Sequence, residues 1–545
     1  MFQRPSPRHW IVLLWAILIA ISLSVRPLFP VDETRYASVA WEMWTRHDFL
    51  VPYLNGQPYS HKPPLLFWLI QLNWWLFGVN DWSLRLISPL FSLATLYLSS
   101  AVAKKLWPDQ KHIAEFTPLI LLGFFIWIVY STLTMFDIML AFFVLSGIYS
   151  LLMLASSGLT IKHWALLGLT LGGGILTKGP VIMLHVMPVA LLTPWWYGRE
   201  QVQVRWAHWY GGLLFATFIG AFIALCWAIP AGIAGGEAYR QAIFLEQTSG
   251  RVVNSFAHRL PLWWYLQKLP FLLLPWMLVT PFWTGLSRLT LKDSGIRLCL
   301  AWALPVFIAF SLVSGKRIQY LLPLIPALAL VLARSIEEVT EFSWRRAHRL
   351  FASMLGLLGL TILLLPWLNA QYHWREELSL VSPLWGLLLM TNAAILALFI
   401  AKNALESVFY ICTTSIAALL IISTGFFEIM HDHYDTTAMA RKISELMAEK
   451  KAIVFYGGKY HGQYQFTGRL TQPITVLPHF DDLLSFAENH QPCYIIVAYR
   501  KDEAIVNSII NNHYPSRSRQ LRQLGLLPCQ SILENPGLAS VLLPS

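Results

Sequence analysis

The sequence predicts a polytopic α-helical membrane protein with a small α/β domain at its C-terminal end. Mean hydropathy is +0.53 and only 13% of the residues are charged, whereas a soluble domain carries about 25% charged residues. Stretches such as Trp10–Val25 and Phe351–Leu368 contain no charged residue and approach the roughly 20 apolar residues needed to cross a bilayer. The 25 tryptophans are typical of membrane interfaces, where amphipathic rings accumulate.

Apolar stretches along the chain predict about 13 spans, and the first is interpreted as an uncleaved span because no small-residue cleavage site follows it. Lys and Arg lie mainly in alternate loops, which the positive-inside rule assigns to the cytoplasm together with the N-terminus. An odd number of spans then places the C-terminal domain in the periplasm of a bacterial inner membrane. The predicted spans cover residues 9–29, 83–103, 115–133, 136–155, 163–177, 180–196, 209–233, 262–284, 297–314, 318–335, 350–368, 381–401 and 408–427.

The charge pattern argues against nucleic-acid and nucleotide binding. The net charge of +11 mostly reflects the cytoplasmic loops of a membrane protein. No basic cluster is interleaved with stacking aromatic residues on a soluble face. The glycine run in Gly172–Gly179 does not match the GxxxxGK[ST] spacing and follows no predicted strand, so we predict no nucleotide cofactor.

The chain divides into a predicted transmembrane catalytic domain, residues 1–428, and a predicted periplasmic α/β domain, residues 429–545. The C-terminal domain alternates short strands at 452–456, 474–477 and 493–498 with helices at 436–450, 480–490 and 501–512. Its two cysteines, Cys493 and Cys529, are interpreted as free thiols, although an oxidising compartment permits their pairing.

The first non-cytoplasmic loop, residues 30–82, is long and contains two predicted interfacial helices. Thr34–Arg46 has an apolar stripe, which predicts a helix on the membrane surface. Pro63 and Pro64 suit the first turn of a second helix over Leu65–Phe77. The stripe of the first helix consists of Tyr36, Val39, Ala40 and Met43.

Charged residues beside the apolar spans are the candidate site. Asp32 and Arg35 are three residues apart and would share a helical face, although Asp32 could instead be a helix N-cap. Lys62 is either an interfacial lysine or a point charge that binds a lipid-linked phosphate. Asp137 lies in a short apolar hairpin, where a carboxylate is costly unless it is paired or caps the next span.

Further candidates share the same predicted membrane face, and together they suit a phosphate-bearing lipid substrate. They are Lys178, Arg259, Lys316 and Tyr320. His61 and His258 could bind a divalent metal together with a carboxylate, although two histidines so far apart favour the unligated interpretation.

The order and spacing of these motifs resemble the bacterial aminoarabinose transferases that modify lipid A. That family lies within the GT-C superfamily, which also contains protein O-mannosyltransferases. The resemblance covers most of the chain and implies a GT-C fold. It rests on Asp32–Ala37, Tyr59–Pro63, Asp137, Thr177–Gly179, His258–Arg259 with Trp263–Tyr265, and Gly315–Lys316 with Tyr320.

The resemblance implies a polyprenyl-phosphate sugar donor, normally undecaprenyl phosphate-aminoarabinose, and a lipid A phosphate as the acceptor. By analogy, Asp32 is the principal catalytic carboxylate, and Lys62 and Asp137 complete the expected catalytic set. The resemblance assigns the donor phosphate to Lys62 with Arg35, Tyr59 and Tyr320. The expected substrate-binding residues are Glu33, Arg35, Tyr36, Tyr59, Lys178, Arg259, Lys316 and Tyr320.

The chain departs from the family pattern at His61, because the aminoarabinose transferases usually have a glutamate before the lysine. That glutamate resembles a metal ligand alongside the position of His258, and histidine can also bind Zn²⁺, so a divalent metal (Zn²⁺, Mg²⁺ or Mn²⁺) stays open. The departure also leaves open a different polyprenyl-linked sugar and a glycan or protein hydroxyl as the acceptor. With a hydroxyl acceptor, Asp32 would act as a general base; with a phosphate acceptor, it would orient the sugar or stabilise positive charge.

Two other functional classes are weaker. A lipid transporter or flippase predicts ionisable residues in the middle of spans and repeated halves, whereas here the acidic residues cluster at span ends and the sequence shows no such internal repeat. A noncatalytic envelope scaffold or sensor leaves the charges on one membrane face unexplained.

Overall fold

The computed structural model describes residues 7–197, 205–244, 260–500, 513–515, 522–535, 537–538 and 542. The chain forms two compact units. The first comprises the residues up to Val25, Ser60–Leu66 and Arg85–Gly425, and the second comprises Arg26–Tyr59, Phe67–Leu84 and the chain from Phe426 onward.

The first unit is built from helices, most of them strongly apolar. Short 3-10 helices at Trp276–Leu278, Ile318–Leu324 and Glu341–Trp344 connect some of them. The α-helices are Pro7–Val25, Ile87–Leu106, Lys111–Gly123, Phe125–Ser131, Phe136–Ser157, Ile161–Lys178, Val181–Leu191, Thr193–Trp196, Trp206–Ala234, Gly236–Gln241, Trp264–Leu272, Thr280–Arg288, Ser294–Leu312, Ile325–Ile336, Arg349–Tyr372, Glu376–Ser379, Pro383–Leu398 and Ala404–Tyr434, the last of which continues into the second unit.

Seven helices of the described part of the chain are long and apolar enough to cross a membrane, or eight if one bent pair counts as a single span. Shorter apolar helices include Leu65–Phe77, Val181–Leu191 and Pro383–Leu398. The chain is therefore a multi-pass membrane protein, whereas the count of about 13 spans stays a prediction.

Two predicted spans are interrupted. The predicted span 115–133 bends by 70° near Phe124, and there the Phe125 N–H donates to the Leu274 carbonyl at 3.1 Å. The predicted span 262–284 is divided into Trp264–Leu272, Trp276–Leu278 and Thr280–Arg288. Prolines at positions 275 and 281 lie at these divisions, and proline lacks the N–H that a helix interior needs.

The glycine run that superficially resembles a phosphate loop lies inside the helix Ile161–Lys178. A Cβ atom on Gly173 would lie 2.3 Å from the Phe143 ring, and one on Gly174 would lie 2.1 Å from Ile182. The run therefore allows neighbouring helices to approach closely, as small residues do in membrane proteins.

The second unit contains seven strands among its described residues. Strands β1 (Tyr53–Leu54) and β2 (Gln57–Pro58) form an antiparallel hairpin. The other five form one sheet in the order β4-β3-β5-β7-β6, in which β3 runs parallel to β4 and β5, and β7 runs antiparallel to β5 and β6. Their bounds are β3 Ala452–Tyr456, β4 Thr475–Leu477, β5 Cys493–Arg500, β6 His513–Pro515 and β7 Arg522–Pro528.

Helices cover both faces of this sheet because apolar side chains alternate along its strands. Val454 of β3 and Ile495 of β5 pack with Leu483, whereas Ile453 and Phe455 pack on the other face with Ile443 of another helix. The helices of the second unit are Asp32–Arg46, Leu65–Phe77, Asp81–Arg85, Thr437–Ala448, Phe480–Asn489 and Cys529–Glu534. Of these, Leu65–Phe77 begins in a segment assigned to the first unit, and Asp81–Arg85 ends in one.

The secondary structure predicted for the C-terminal region agrees with the structure in most places. Strands β3 to β5 and the helices Thr437–Ala448 and Phe480–Asn489 are confirmed. Strands β6 and β7 were not predicted, and Gly525 and Pro528 within β7 weaken its strand pattern. The helix predicted at 501–512 lies outside the described residues.

Cys493 and Cys529 form a disulfide bond, so their interpretation as free thiols is wrong. Cys493 begins β5 and Cys529 follows β7, and these two strands pair with Tyr494 opposite Pro528. The pairing brings the Cα atoms of the cysteines to 5.3 Å, a normal separation for a disulfide. The sequence could not reveal this contact because β7 was not recognised as a strand.

Candidate active site

The helix Asp32–Arg46 carries the charged candidates of the second unit. Its N-cap is Val31, which makes no side-chain cap, so the alternative interpretation of Asp32 as an N-cap is wrong. The Asp32 carboxylate instead accepts a hydrogen bond from the Arg35 guanidinium, as the three-residue spacing predicts. The two side chains are 32% and 17% exposed, so this ion pair can be reached by a substrate.

Two tyrosines surround Arg35. Its guanidinium carbon lies 5.5 Å from the centroid of the Tyr36 ring. Burial acts to lower the pKa of Arg35, but Tyr59, Tyr36 and Asp32 outweigh it and raise the pKa above the ordinary value. Arg35 is therefore a fixed cation with a planar donor fork, which suits a phosphate group.

A hairpin sets the position of Tyr59. Asn55 and Gly56 have φ values of 53° and 78°, as the two central residues of a type I′ turn require. The Glu42 carboxylate accepts hydrogen bonds from the backbone N–H groups of both turn residues. Tyr59 follows the second strand of this hairpin, and its N–H donates to the Pro52 carbonyl at 2.7 Å. The Asp32–Arg46 helix thus holds Tyr59 through Glu42.

Glu33 is deeply buried and fully engaged with the protein. Its carboxylate pairs with the Arg26 guanidinium through both oxygens, and the two side chains are only 2% and 6% exposed. It also accepts a hydrogen bond from the Phe29 N–H at 2.9 Å. These contacts fix the segment that leads into the helix and therefore the start of the helix at Asp32.

The first unit holds a second ion pair, between Asp137 and Lys178. Lys178 Nζ lies 2.5 Å from the Asp137 carboxylate, and the side chains are 12% and 5% exposed. The N-cap of the helix Phe136–Ser157 is Met135, so the interpretation of Asp137 as an N-cap is also wrong. Asp137 lies in the first turn of its helix, and Lys178 is the last residue of its own helix, positions that suit their charges.

Aromatic rings connect this ion pair to two more candidates. Lys178 Nζ lies 4.8 Å from the centroid of the Tyr320 ring, and Lys62 Nζ lies 5.5 Å from the centroid of Phe136, the neighbour of Asp137. The structure therefore brings together four candidates that the sequence separates widely. They are Lys62, Asp137, Lys178 and Tyr320.

Lys316 makes a different kind of contact. Its ammonium donates to the backbone carbonyls of Leu260 and Val313 at 3.0 and 2.6 Å. Burial lowers the pKa of Lys316. These contacts join the loop after Ser294–Leu312 to the chain at Leu260, while Arg259 lies outside the described residues.

The described residues do not assemble a metal site around His61. Within the described ranges, no group of three or more His, Cys, Asp or Glu side chains is close enough to hold a metal ion. His258, the second predicted ligand, lies outside those ranges.

Several residues of the site were not predicted. Ser38 and the segment around His461 are in contact although 424 residues separate Ser38 from Gly462, and no sequence spacing could reveal that. Arg35 and Asp32 act electrostatically on His461. Glu42 could have been found, because Asn-Gly is a strong hairpin signal whose buried turn amides need an acceptor.

Part of the chain matches a family of lipid-linked sugar transferases. Residues 61–226 match the family model for dolichyl-phosphate-mannose-protein mannosyltransferase. The undecaprenyl phosphate-alpha-4-amino-4-deoxy-L-arabinose arabinosyl transferase of Pectobacterium atrosepticum is 28% identical over 400 residues, which is 68% of each chain. The enzyme with the same name from Aeromonas salmonicida is 28% identical over 358 residues, which is 64% of each chain.

Solved structures show the same fold over almost the whole chain. The crystal structure of ArnT from Cupriavidus metallidurans bound to undecaprenyl phosphate matches with a TM-score of 0.75 and 20% identity, covering 96% of this chain and 98% of that one. The apo structure of the same protein gives a TM-score of 0.74. The predicted GT-C fold and the predicted resemblance to the aminoarabinose transferases are confirmed.

Proposed function

We propose that this chain, a member of the aminoarabinose transferase family, is an inverting glycosyltransferase that moves aminoarabinose from undecaprenyl phosphate to a lipid A phosphate. The observation that carries the proposal is the Asp32–Arg35 ion pair. Its carboxylate is 32% exposed, whereas the carboxylates of Glu33 and Asp137 are 2% and 5% exposed and tied to other side chains. The names of the relatives support the donor and the sugar.

In the proposed reaction, the sugar is transferred at its anomeric carbon from the donor phosphate to the acceptor phosphate. A bond forms from an acceptor phosphate oxygen to this carbon while the bond to the donor phosphate oxygen breaks, and the bonding electrons leave with undecaprenyl phosphate. Negative charge grows on the leaving phosphate, so cations placed in advance lower the barrier. We assign this role to Arg35 and Lys62, with Tyr59 and Tyr320 as hydrogen-bond donors.

Asp32 has a role that depends on the acceptor. A lipid A phosphate is already ionised, so it needs no base, and Asp32 would stabilise positive charge at the anomeric carbon or orient the amino sugar. With a hydroxyl acceptor, the same carboxylate would accept the proton.

The remaining candidates divide into supporting and positioning residues. Asp137 and Lys178 would support the donor side, since they lie in one cluster with Lys62 and Tyr320. Glu33 is proposed to position Asp32 through its pairing with Arg26. For the others, Tyr36 would hold the Arg35 guanidinium, Lys316 would order its loop, and Arg259 stays a predicted substrate-binding residue.

We propose the topology that the sequence predicts, with about 13 spans in the bacterial inner membrane and the N-terminus in the cytoplasm. Residues 429–545 would then form a periplasmic α/β domain. The disulfide between Cys493 and Cys529 supports this placement, because disulfides persist in oxidising compartments.

The proposal is tested by mass spectrometry of lipid A from cells with and without the protein. An added amino pentose on a lipid A phosphate in producing cells, absent from cells with the Asp32→Asn variant, is the expected result. Unchanged lipid A together with a change in another glycan would disprove the acceptor and leave the transferase class in place.

A second candidate function is the transfer of another polyprenyl-linked sugar to a glycan or protein hydroxyl. Two observations favour it. The family model that matches residues 61–226 is named for protein mannosyltransferases, and His61 stands where the aminoarabinose transferases usually have a glutamate. Glycan and protein profiling of the same cells distinguishes it from the first proposal.

A further inference from the structure

A loop of the C-terminal region is anchored to the helix that carries Asp32 and Arg35. This loop, residues 457–474, connects β3 to β4 and is called the β3–β4 loop below. Ser38 Oγ donates to the Gly462 carbonyl at 2.5 Å and accepts a hydrogen bond from the Phe466 N–H at 3.2 Å. Trp41 Nε1 donates to the Leu470 carbonyl at 2.8 Å. Ser38 is three residues after Arg35 and therefore lies on the same helical face.

The backbone of the β3–β4 loop is fixed around His461. Gly462 has φ of +73°, and a Cβ atom there would lie 2.4 Å from Leu54. Tyr460 is buried, and its hydroxyl bonds Gln465 Oε1, while Gln465 Nε2 donates to Asn55 Oδ1 at 2.8 Å. The neighbours of His461 on both sides are thus held by the protein.

The imidazole of His461 is half-buried and within electrostatic range of Asp32 and Arg35. Burial lowers its pKa, the charges of Arg35 and Lys459 lower it further, and Asp32 opposes them. In the part of the chain that the structure describes, the hydrogen bonds of His461 involve its backbone N–H, which donates to Gln463 Oε1, and not its ring. A neutral imidazole can offer an N–H to a phosphate oxygen, and the exposed Lys459 two residues earlier adds a cation.

We propose that His461 and Lys459 bind the phosphate of the acceptor, which makes the β3–β4 loop an acceptor subsite of the transferase. This inference rests on the proposed function. An inverting displacement brings nucleophile and leaving group to opposite sides of the anomeric carbon, so the two phosphates need separate binding groups. The donor phosphate ends a membrane-embedded polyprenyl chain and suits cations beside apolar helices. A glycolipid head group lies in the aqueous layer, where a loop of a polar domain can reach it.

The repulsion between the acceptor phosphate and the Asp32 carboxylate also supports an acceptor subsite. A second anion approaching the Asp32 carboxylate meets repulsion unless cations or N–H donors face it. Arg35 is already paired with Asp32, so additional donors are required on the acceptor side. In the C-terminal region, His461 and the nearby Lys459 can supply them, since Arg35, Lys459 and Asp32 all act electrostatically on His461.

The test is steady-state kinetics of the full-length protein in nanodiscs, with the Michaelis constants of lipid A and of undecaprenyl phosphate-aminoarabinose measured separately. His461→Ala should raise the KM for lipid A about tenfold, as expected for a lost hydrogen bond to a charged group, and Lys459→Ala should raise it severalfold. The donor KM should stay within about twofold, and His461→Gln, which keeps an N–H donor, should recover part of the loss. His479→Gln is the matched control, because His479 is exposed on the same region.

Two outcomes overturn the subsite. An unchanged lipid A KM in both His461→Ala and Lys459→Ala would do so, and so would an equal rise in the donor KM, which would move these residues to the donor side. Lys459 is exposed, so its variant remains informative if His461→Ala does not fold.

Direct binding of lipid A to the Asp32→Asn protein separates the two proposals. If lipid A binds but the wild type does not transfer the sugar to it, the proposed function is contradicted. If the substitution His461→Ala leaves the binding of lipid A unchanged, only the subsite is contradicted.

Discussion

Lys178 Nζ lies 2.5 Å from the carboxylate of Asp137, and both side chains are largely buried. The pair joins the first turn of the helix Phe136–Ser157 to the last residue of the helix Ile161–Lys178. Because water cannot stabilise either charge there, each ion depends on the other. The same lysine lies over the Tyr320 ring, so the pair also orders a predicted substrate-binding residue.

Breaking this pair from one side should be worse for folding than removing it entirely. We expect Asp137→Ala and Lys178→Met each to lower the free energy of unfolding by about 3 kcal/mol, since each leaves a buried ion unpaired. The double variant should lose less than either single variant, because it leaves no buried ion unpaired. Thermal unfolding in detergent and transfer assays check this. All three variants should be inactive, and a double variant that transfers sugar normally would limit the pair to a structural role.

Asp32→Asn and Lys62→Ala should each reduce transfer at least a hundredfold, because each removes a charge that stabilises the developing charges of the reaction. Membrane insertion and thermal stability should stay unchanged, since the Asp32 side chain is partly exposed. Asp482→Asn is the control for the first variant, as Asp482 is an exposed carboxylate of the C-terminal region. Wild-type activity in either test variant would remove that residue from the mechanism.

The sequence revealed those parts of the site that depend on local spacing. Asp32 and Arg35 pair because three residues of helix bring them together, and the helix itself was predicted from its apolar stripe. Asp137 and Lys178 were recognised individually as charges beside apolar spans, but their pairing depends on how helices pack. No periodicity in the sequence encodes that packing.

The parts that the sequence did not reveal depend on long-range contacts. Ser38 meets Gly462 across 424 residues, and the pairing of β5 with β7 brings Cys493 to Cys529. Prolines are the one local signal of a break, because Pro275 and Pro281 divide a segment that hydropathy alone predicts as one span.

The disulfide should stabilise the C-terminal region. Its two cysteines are 36 residues apart, and closing a loop of that size in the unfolded chain corresponds to about 4 kcal/mol in the chain-entropy description. Cys493→Ser with Cys529→Ser should therefore lower the unfolding temperature of the protein clearly. Differential scanning fluorimetry with and without reductant measures this. The double serine variant should no longer respond to reductant, and a wild-type melting curve that reductant leaves unchanged would contradict the expectation.

Acid should destabilise the protein partly through His461. Burial, with Arg35 and Lys459, holds the pKa of His461 below its ordinary value of 6.5, while Asp32 acts against them. The unfolded chain therefore binds the proton more readily than the folded chain. The resulting stability is fully present above pH 6.5 and is lost as the pH falls through the folded-state pKa.

His461→Gln should accordingly flatten the loss of melting temperature between about pH 7.5 and 5, because glutamine does not titrate in this range. Melting temperatures of the wild type, His461→Gln and His479→Gln across this range give the measurement. His479→Gln should follow the wild type, since that side chain is exposed. Parallel curves for all three proteins would show that His461 does not contribute to the acid response.

Gly173→Ala should disturb the packing of the membrane helices and, through them, the position of Lys178. The added Cβ atom would lie 2.3 Å from the Phe143 ring, and an overpacked core typically costs about 1–3 kcal/mol. Gly211→Ala is the matched control, because nothing lies within 4 Å of a Cβ atom there and alanine favours a helix. Melting temperatures should fall for Gly173→Ala and hold or rise for Gly211→Ala. Since Lys178 lies five residues after Gly173 on the same helix, Gly173→Ala should also lower the rate of sugar transfer. Normal stability together with normal transfer in this variant would show that the helices tolerate the added methyl group.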